Sequence, residues 1–159
     1  MDIKNRMKAG DIHISISGPG HLAIVYEYSG KQLKKYEICC DGSAGPGWTQ
    51  HNGDTPPGLY VLGTPVWTQD RDDYHTIKAP FGPVFVPLDF IEGPPGAAAR
   101  QGLGDHGGGS GLEDPMASRQ GWVVTHGCVR HQNEDVIWVA NLQMAKAKVG
   151  NKIYQTVAW

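Results

Sequence analysis

Residues 11–40 read DIHISISGPGHLAIVYEYSGKQLKKYEICC, and this stretch decides the fold. Apolar and polar residues alternate over 11–17, which is the period-two pattern of a strand with one buried face. Two more apolar runs follow at 21–28 and 33–40, after the turn signals Gly18-Pro19-Gly20 and Ser29-Gly30. Strand, turn, strand, turn, strand predicts an antiparallel meander, so the chain is expected to be a β domain.

The composition of the whole chain agrees with a loop-rich β domain. Its 159 residues include 22 glycines and 11 prolines, yet 40% are hydrophobic and these fall in separated runs. This length is typical of one hydrophobic core, so residues 1–159 are expected to form a single domain. Further strands are predicted at 59–62, 84–91, 122–125 and 152–159, with Pro87 placing the second of these at a sheet edge or bulge.

One main helix is predicted after residue 132. Asn133 is a favourable N-cap, and Glu134 and Asp135 place negative charge at the positive end of the helix. Apolar residues then recur at helical spacing, and Gly150 provides a stop. The predicted fold class is therefore mainly β with one main helix.

Charge and cysteine content exclude several classes of protein. With 14 Lys and Arg against 16 Asp and Glu, the net charge is -2, and no basic surface for nucleic acid is expected. No run of apolar residues is long enough to span a membrane, and no secretory signal peptide is expected. Three cysteines without a C-x-x-C pair indicate no disulfide framework, and Cys39 and Cys40 are expected to pack in the core.

The densest group of reactive side chains is THGCVRH, residues 125–131. Cys128 lies between a predicted strand and the predicted helix, where the helix start, Arg130 and nearby imidazoles are expected to favour the thiolate. The alternative is a small buried cysteine without a chemical role. Two histidines are candidate bases: His126, two residues away on the same segment, and His106, on a glycine-rich loop expected to be mobile.

A metal site would use the same residues. His106, His126, Cys128 and His131 are ligand types that zinc accepts. The spacing H-x-C-x-x-H differs from the ligand pairs of structural zinc sites, so neither a metal nor a cofactor is expected.

The motif resembles that of a known family, the L,D-transpeptidase (YkuD-type) catalytic domain of bacterial cell-wall enzymes. The family signature is a His-Gly pair, a variable loop, and then [S/T]-H-G-C-x-[R/N]. His106-Gly107 and the sequence THGCVR at 125–130 match it, and TPPG at 55–58 matches the family's T-P-x-G. The loop between the two halves is longer than usual.

The resemblance implies a β-sandwich that acts on peptidoglycan stem peptides. Cys128 would attack the carbonyl of the third residue of a tetrapeptide stem, releasing the terminal D-Ala and leaving a thioester. His106 would be the general base, oriented by the carbonyl of Gly107. The choice of His106 over His126 as the base has a second reason. His126, two residues from Cys128 along a strand, would lie about 6 to 7 Å from the thiol, which is too far for direct proton transfer.

Other residues of the motif would bind the substrate. The resemblance implies an oxyanion hole formed by the N–H groups of Gly127 and Cys128 with His126 beside them. Thr125 and Arg130 are expected to contact the substrate, Arg130 through a carboxylate. Alternatively, Arg130 would form an exposed ion pair with Glu134.

Three activities are compatible with the motif. Transfer to an amine would make the protein an L,D-transpeptidase, and transfer to water would make it an L,D-carboxypeptidase. A peptidoglycan-binding module without turnover is the non-enzymatic alternative. In each case a monomer acting in the cell envelope or periplasm is expected.

Overall fold

The meander predicted from residues 11–40 forms the first three strands of the computed structural model, which describes residues 2–159. These strands are β1 (Ile12–Ser17), β2 (Leu22–Glu27) and β3 (Gln32–Cys39). Each pairs antiparallel with the next. In β1 the apolar positions Ile12, Ile14 and Ile16 are at most 1% exposed, as the alternation predicts. The prediction of an early meander is confirmed.

Later strands close this sheet on itself. They are β4 (Gly58–Leu62), β5 (Val66–Trp67), β6 (Val84–Glu92), β7 (Gly104–His106), β8 (Val129–His131) and β9 (Ile153–Ala158). The hydrogen-bonded order is β4-β9-β1-β2-β3-β8-β7-β6-β5, and β4 also pairs with β6. The mainly β class is confirmed, but the strands form one closed, barrel-like sheet where a two-sheet sandwich was expected.

Aliphatic side chains fill the inside of this sheet, and one long helix covers it. Val84 and Val86 of β6 are fully buried. This helix, α2 (Asn133–Lys148), lies against β6 and β7 through Val136 and Val139, which are also fully buried. Burial of a valine side chain contributes roughly 1.5 kcal/mol or more, so this contact fixes the strand that carries His106.

The long helix agrees with the prediction except at its start. It spans Asn133–Lys148, with Glu134 and Asp135 in its first turn. Gln132 is the N-cap, one residue earlier than predicted. The buried side chain of Asn133 instead accepts a hydrogen bond from the N–H of Gly108, at 2.8 Å, and so ties the helix to the segment after His106.

A second helix, α1, spans Tyr74–Phe81 and precedes α2 in the chain. It was not predicted from the sequence. It is eight residues long, has no side-chain cap and contains Pro80, so local signals for it are weak. Three short 3-10 turns lie at Ile3–Asn5, Thr68–Asp70 and Ala97–Ala99. No helix within residues 2–159 has the length and apolar character needed to cross a membrane.

Two strand predictions are wrong in detail. Residues 122–125 form no ladder, since only Thr125 makes an isolated bridge, to Gly42, and Val124 is 49% exposed. Strand β6 is not at an edge, because β7 pairs on one side of it and β4 and β5 on the other. Pro87 lies where β6 changes partner from β5 to β4, and its carbonyl accepts the N–H of Gly63. Proline is tolerated inside the sheet at this change of partner.

Candidate active site

Two short parallel strands, β7 and β8, carry the two halves of the motif. His106 pairs with Arg130 and Asp105 pairs with Val129. Because strand side chains alternate, His106 and Arg130 face one side while Asp105 and Val129 face the core. Cys128 directly precedes β8, and the N–H of Gly104 is hydrogen-bonded to its sulfur. The thiol and His106 are thus diagonal neighbours on the same face.

This face opens into a cavity of about 730 Å³. Five of the predicted site residues line it: His106, Thr125, His126, Cys128 and Arg130. The predicted glycines, Gly107 and Gly127, are their neighbours in the chain. The structure therefore brings the two halves of the motif together in one place.

His106 is held rigidly, in contrast to the expectation of a mobile loop. It belongs to β7, is 3% exposed, and its ring packs between Phe81 and Phe85. Its Nδ1 lies 2.9 Å from the carbonyl oxygen of Gly107. A carbonyl only accepts, so Nδ1 carries the proton and Nε2 presents a lone pair.

Burial lowers the pKa of His106 to about 3, and the positive charge of Arg130 adds to this effect. The imidazole is therefore neutral near pH 7. A neutral imidazole has the free lone pair that a base needs, and a pKa this low makes it a weak proton acceptor in the resting site.

The Cys128 thiol is protonated at neutral pH, which corrects the expectation of a thiolate. Burial raises its pKa to about 11, and the bond from the Gly104 N–H and the charges of Arg130 and Arg100 offset only part of this. The helix start has no role here, because β8 separates Cys128 from α2. The resting site therefore holds a neutral thiol and a neutral imidazole, and attack requires proton transfer to a base.

Arg130 is a buried positioning residue, 4% exposed. Its Nη1 donates to the carbonyls of Gly107 and Pro80, and its Nε donates to that of Val123 at 2.8 Å. The predicted ion pair with Glu134 is wrong, since Glu134 pairs with Arg119 at 2.8 Å. Arg130 lines the cavity, so the predicted contact with a substrate carboxylate remains a prediction.

The Thr125 hydroxyl acts inside the motif segment. It donates to the carbonyl of Cys128 at 2.8 Å and accepts from the N–H of Gly127 at 3.0 Å. Thr55, from the T-P-x-G motif, donates to the same Cys128 carbonyl at 3.0 Å. Thr125 therefore shapes the backbone around the thiol, and because it also lines the cavity, its predicted substrate contact stays a prediction. The Gly127 N–H donates to this hydroxyl, and the assignment of Gly127 to an oxyanion hole stays a prediction.

The structure separates His131 from the other zinc-type ligands. His131 is fully buried on the core side of β8, 3.4 Å from Asp105, and its ring lies against that of Tyr36. Because His106 and Cys128 line the cavity on the opposite face, the four residues considered together from the sequence do not converge.

A profile of the L,D-transpeptidase catalytic domain, also called YkuD, matches residues 10–154. This chain belongs to the L,D-transpeptidase catalytic domain family. The match spans nearly the whole chain and includes both halves of the motif. A comparison with curated protein sequences gave no match.

Solved structures share the fold of this L,D-transpeptidase domain. It is similar to Bd1075 of Bdellovibrio bacteriovorus (13% identity, TM-score 0.58, covering 87% of this chain and 45% of that one). It is also similar to the helical cell shape determining protein Pgp2 of Campylobacter jejuni (17% identity, TM-score 0.57, covering 92% of this chain and 47% of that one). A third similar structure is an L,D-transpeptidase of Stackebrandtia nassauensis (14% identity, TM-score 0.54, covering 98% of this chain and 60% of that one). The chain thus spans 45–60% of the length of these three, and the likeness establishes the fold.

Arg100 of this L,D-transpeptidase domain was not predicted from the sequence to be a site residue. Arg100 donates to the carbonyl of His126 at 2.9 Å and to those of Trp48 and Gln50 at 2.7 and 2.8 Å. A side chain at Gly127 would collide with the Arg100 guanidinium, which explains why glycine stands there. His126 itself is exposed at the cavity rim. All these partners are carbonyls distant in sequence, so no local pattern marks Arg100.

Proposed function

We propose that the chain is a cysteine-dependent peptidoglycan L,D-transpeptidase that acts on tetrapeptide stems. The observation that carries this proposal is that the Cys128 thiol and the neutral His106 imidazole line one cavity. Nucleophile and base within one site are what acyl transfer requires, and the family to which the chain belongs suggests the substrate class. We further propose that residues 1–159 act as one catalytic domain in the cell envelope or periplasm, where peptidoglycan lies.

The proposed reaction uses His106 twice. Its Nε2 accepts the thiol proton as the Cys128 sulfur attacks the carbonyl carbon of the third stem residue. The tetrahedral intermediate then breaks the bond to the terminal D-Ala, whose amine takes the proton from His106. A thioester on Cys128 remains. The acceptor amine attacks this thioester and gives its proton to His106. The C–S bond then breaks, and the Cys128 sulfur takes that proton from His106 to restore the thiol.

The remaining groups of the cavity have proposed roles in charge stabilisation. The backbone N–H of Cys128 and the side chain of His126 would stabilise the developing oxyanion. Arg130 supports His106 through Gly107, and the edge of its guanidinium in the cavity would receive a stem carboxylate. The fixed backbone from Thr125 to Cys128 keeps these groups in place without reorganisation during the reaction.

Purified disaccharide-tetrapeptide muropeptides provide the decisive test. They are incubated with the protein, with and without an added D-amino acid, and the products are analysed by mass spectrometry. We expect cross-linked dimers and exchange of the terminal D-Ala. Cys128→Ala, checked for folding by circular dichroism, should give no product, and a chelator should leave the wild-type activity unchanged.

Each other outcome overturns the proposed activity in a specific way. Tripeptides as the main product would identify an L,D-carboxypeptidase, in which water is the acceptor. Binding of muropeptides without any product would identify a peptidoglycan-binding module. Turnover that persists in Cys128→Ala would exclude the thioester.

A further inference from the structure

Three metal-ligating side chains converge outside the cavity. They are His21, in the turn between β1 and β2, Cys39, at the end of β3, and Asp41. One imidazole nitrogen, the Cys39 sulfur and a carboxylate oxygen all lie within 4.8 Å of one another. None of the three residues lines the cavity that holds Cys128.

Cys39 is buried on the face of β3 opposite to that of Cys40. Ile38 and Cys40 on either side of it belong to the buried core. Since side chains alternate along a strand, Cys39 faces the other way, and its sulfur lies 3.9 Å from an Asp41 carboxylate oxygen. Cys40 packs in the core as predicted, and Cys39 is buried as well, on the opposite face and outside the main apolar cluster.

The backbone fixes these ligands before any ion binds. His21 adopts the left-handed region, with φ of 48°, which few non-glycine residues do. Its N–H donates to Gly18 at 3.1 Å and its carbonyl accepts the N–H of Ile38 at 3.0 Å. The carbonyl of Asp41 accepts the N–H of Thr125 at 3.0 Å. The turn is thus attached to β3 next to Cys39, and the three donor atoms lie within 4.8 Å of one another before any ion binds.

We propose that His21, Cys39 and Asp41 bind a divalent transition metal of the zinc type. The imidazole, thiolate and carboxylate are the ligands that zinc takes in a tetrahedral site, whereas magnesium and calcium prefer oxygen alone. Thiolate and carboxylate together balance a charge of two. The exposed side of His21 leaves the fourth position to solvent. On binding, the Cys39 thiol loses its proton to solvent and a metal–sulfur bond forms.

Cobalt(II) titration tests this site directly. A cobalt–thiolate bond gives a charge-transfer absorption band that oxygen and nitrogen ligands do not. The parent protein for the titration carries Cys128→Ala, so that the catalytic thiol cannot contribute the band. We expect one equivalent of cobalt to produce it and zinc to displace the cobalt and remove it.

Variants in the Cys128→Ala background assign the ligands. Cys39→Ser should abolish the band, and His21→Asn and Asp41→Asn should weaken cobalt binding at least about tenfold. Asparagine tolerates the left-handed backbone at position 21, so His21→Asn tests the ligand without straining the turn. Cys40→Ser and the exposed His75→Ala are matched controls that should keep the band. Absence of the band in the parent, or its persistence in both Cys39→Ser and His21→Asn, would overturn the proposal.

Discussion

Arg130 and His106 donate hydrogen bonds to the same acceptor, the carbonyl oxygen of Gly107. The shared acceptor sets the tautomer of His106 and the orientation of its ring, and it draws a positive charge close to the imidazole. Because both Arg130 and burial lower the pKa of His106, the proposed base is kept neutral. In the proposed function, Arg130 would therefore act on the chemistry through His106.

Replacement of Arg130 should change the pKa of His106 as well as the rate. In Arg130→Gln the charge is removed, so the pKa of His106 should rise by about one unit in an NMR titration. Arg130→Lys keeps the charge but loses the fork of donors, so kcat should fall about tenfold with a smaller change of that pKa. Equal His106 pKa values in wild type and Arg130→Gln would contradict this coupling.

The raised pKa of Cys128 predicts a slow thiol at neutral pH. The rate of alkylation of Cys128 by iodoacetamide should increase about tenfold per pH unit from pH 7 to pH 10, because its pKa is about 11. Peptide mapping by mass spectrometry follows Cys128 separately from Cys39 and Cys40. Glutathione, as an ordinary thiol with a pKa of about 8.5, should reach its plateau at about pH 10. A plateau for Cys128 at a similarly low pH would show that the thiolate is stabilised.

The strands and helices could be predicted from the sequence where the local pattern of apolar and polar residues is strong. Alternation over residues 11–17 defined β1 because one face of that strand is buried. The same reasoning failed at residues 122–125, an apolar run that is largely exposed beside the cavity. Helix α1 was missed because an eight-residue segment with Pro80 gives too little helical periodicity.

The site could be predicted only as a set of residues. The motif named Cys128 and Arg130 because their spacing in sequence is short and specific, and it named His106 through the His-Gly pair of the family signature. Their protonation states depend on burial, which arises when β7 and β8 pair and α1 covers His106 through Phe81. The backbone partners of Arg100 and Arg130 lie up to 52 residues away, so composition and spacing gave no indication of them.

Replacement of His106 and replacement of His126 should have different effects on the rates of acylation and alkylation of Cys128. His106→Gln should slow acylation of Cys128 by a tetrapeptide stem about 10²- to 10⁴-fold, because the base is lost. His126→Gln should slow acylation about tenfold and leave alkylation by iodoacetamide unchanged, since halide displacement develops no oxyanion. Intact-mass kinetics measure both reactions. If His126→Gln lost alkylation and His106→Gln kept it, the two roles would have to be exchanged.

Thr125 should contribute to stability through its hydroxyl. Thr125→Val removes the donor to the Cys128 carbonyl and the acceptor for the Gly127 N–H, so the free energy of unfolding should fall by about 1 to 2 kcal/mol. Thr125→Ser keeps both bonds and is the matched control. Urea denaturation measures the difference. If Thr125→Val matched wild type, Thr55 alone would be sufficient to hold the Cys128 carbonyl.

His106 should also make the protein sensitive to acid. Its pKa is lowered from 6.5 to about 3 in the folded protein, so between these values the unfolded chain binds a proton that the folded chain does not. The free energy of unfolding therefore falls as the pH decreases through this window, by up to about 1.4 kcal/mol per pH unit from this group alone. His106→Gln removes the effect, and its urea midpoint should change less between about pH 6.5 and pH 4 than that of wild type. The exposed His75→Gln should keep the wild-type slope, and parallel losses in His106→Gln and wild type would show that acid sensitivity arises at other groups.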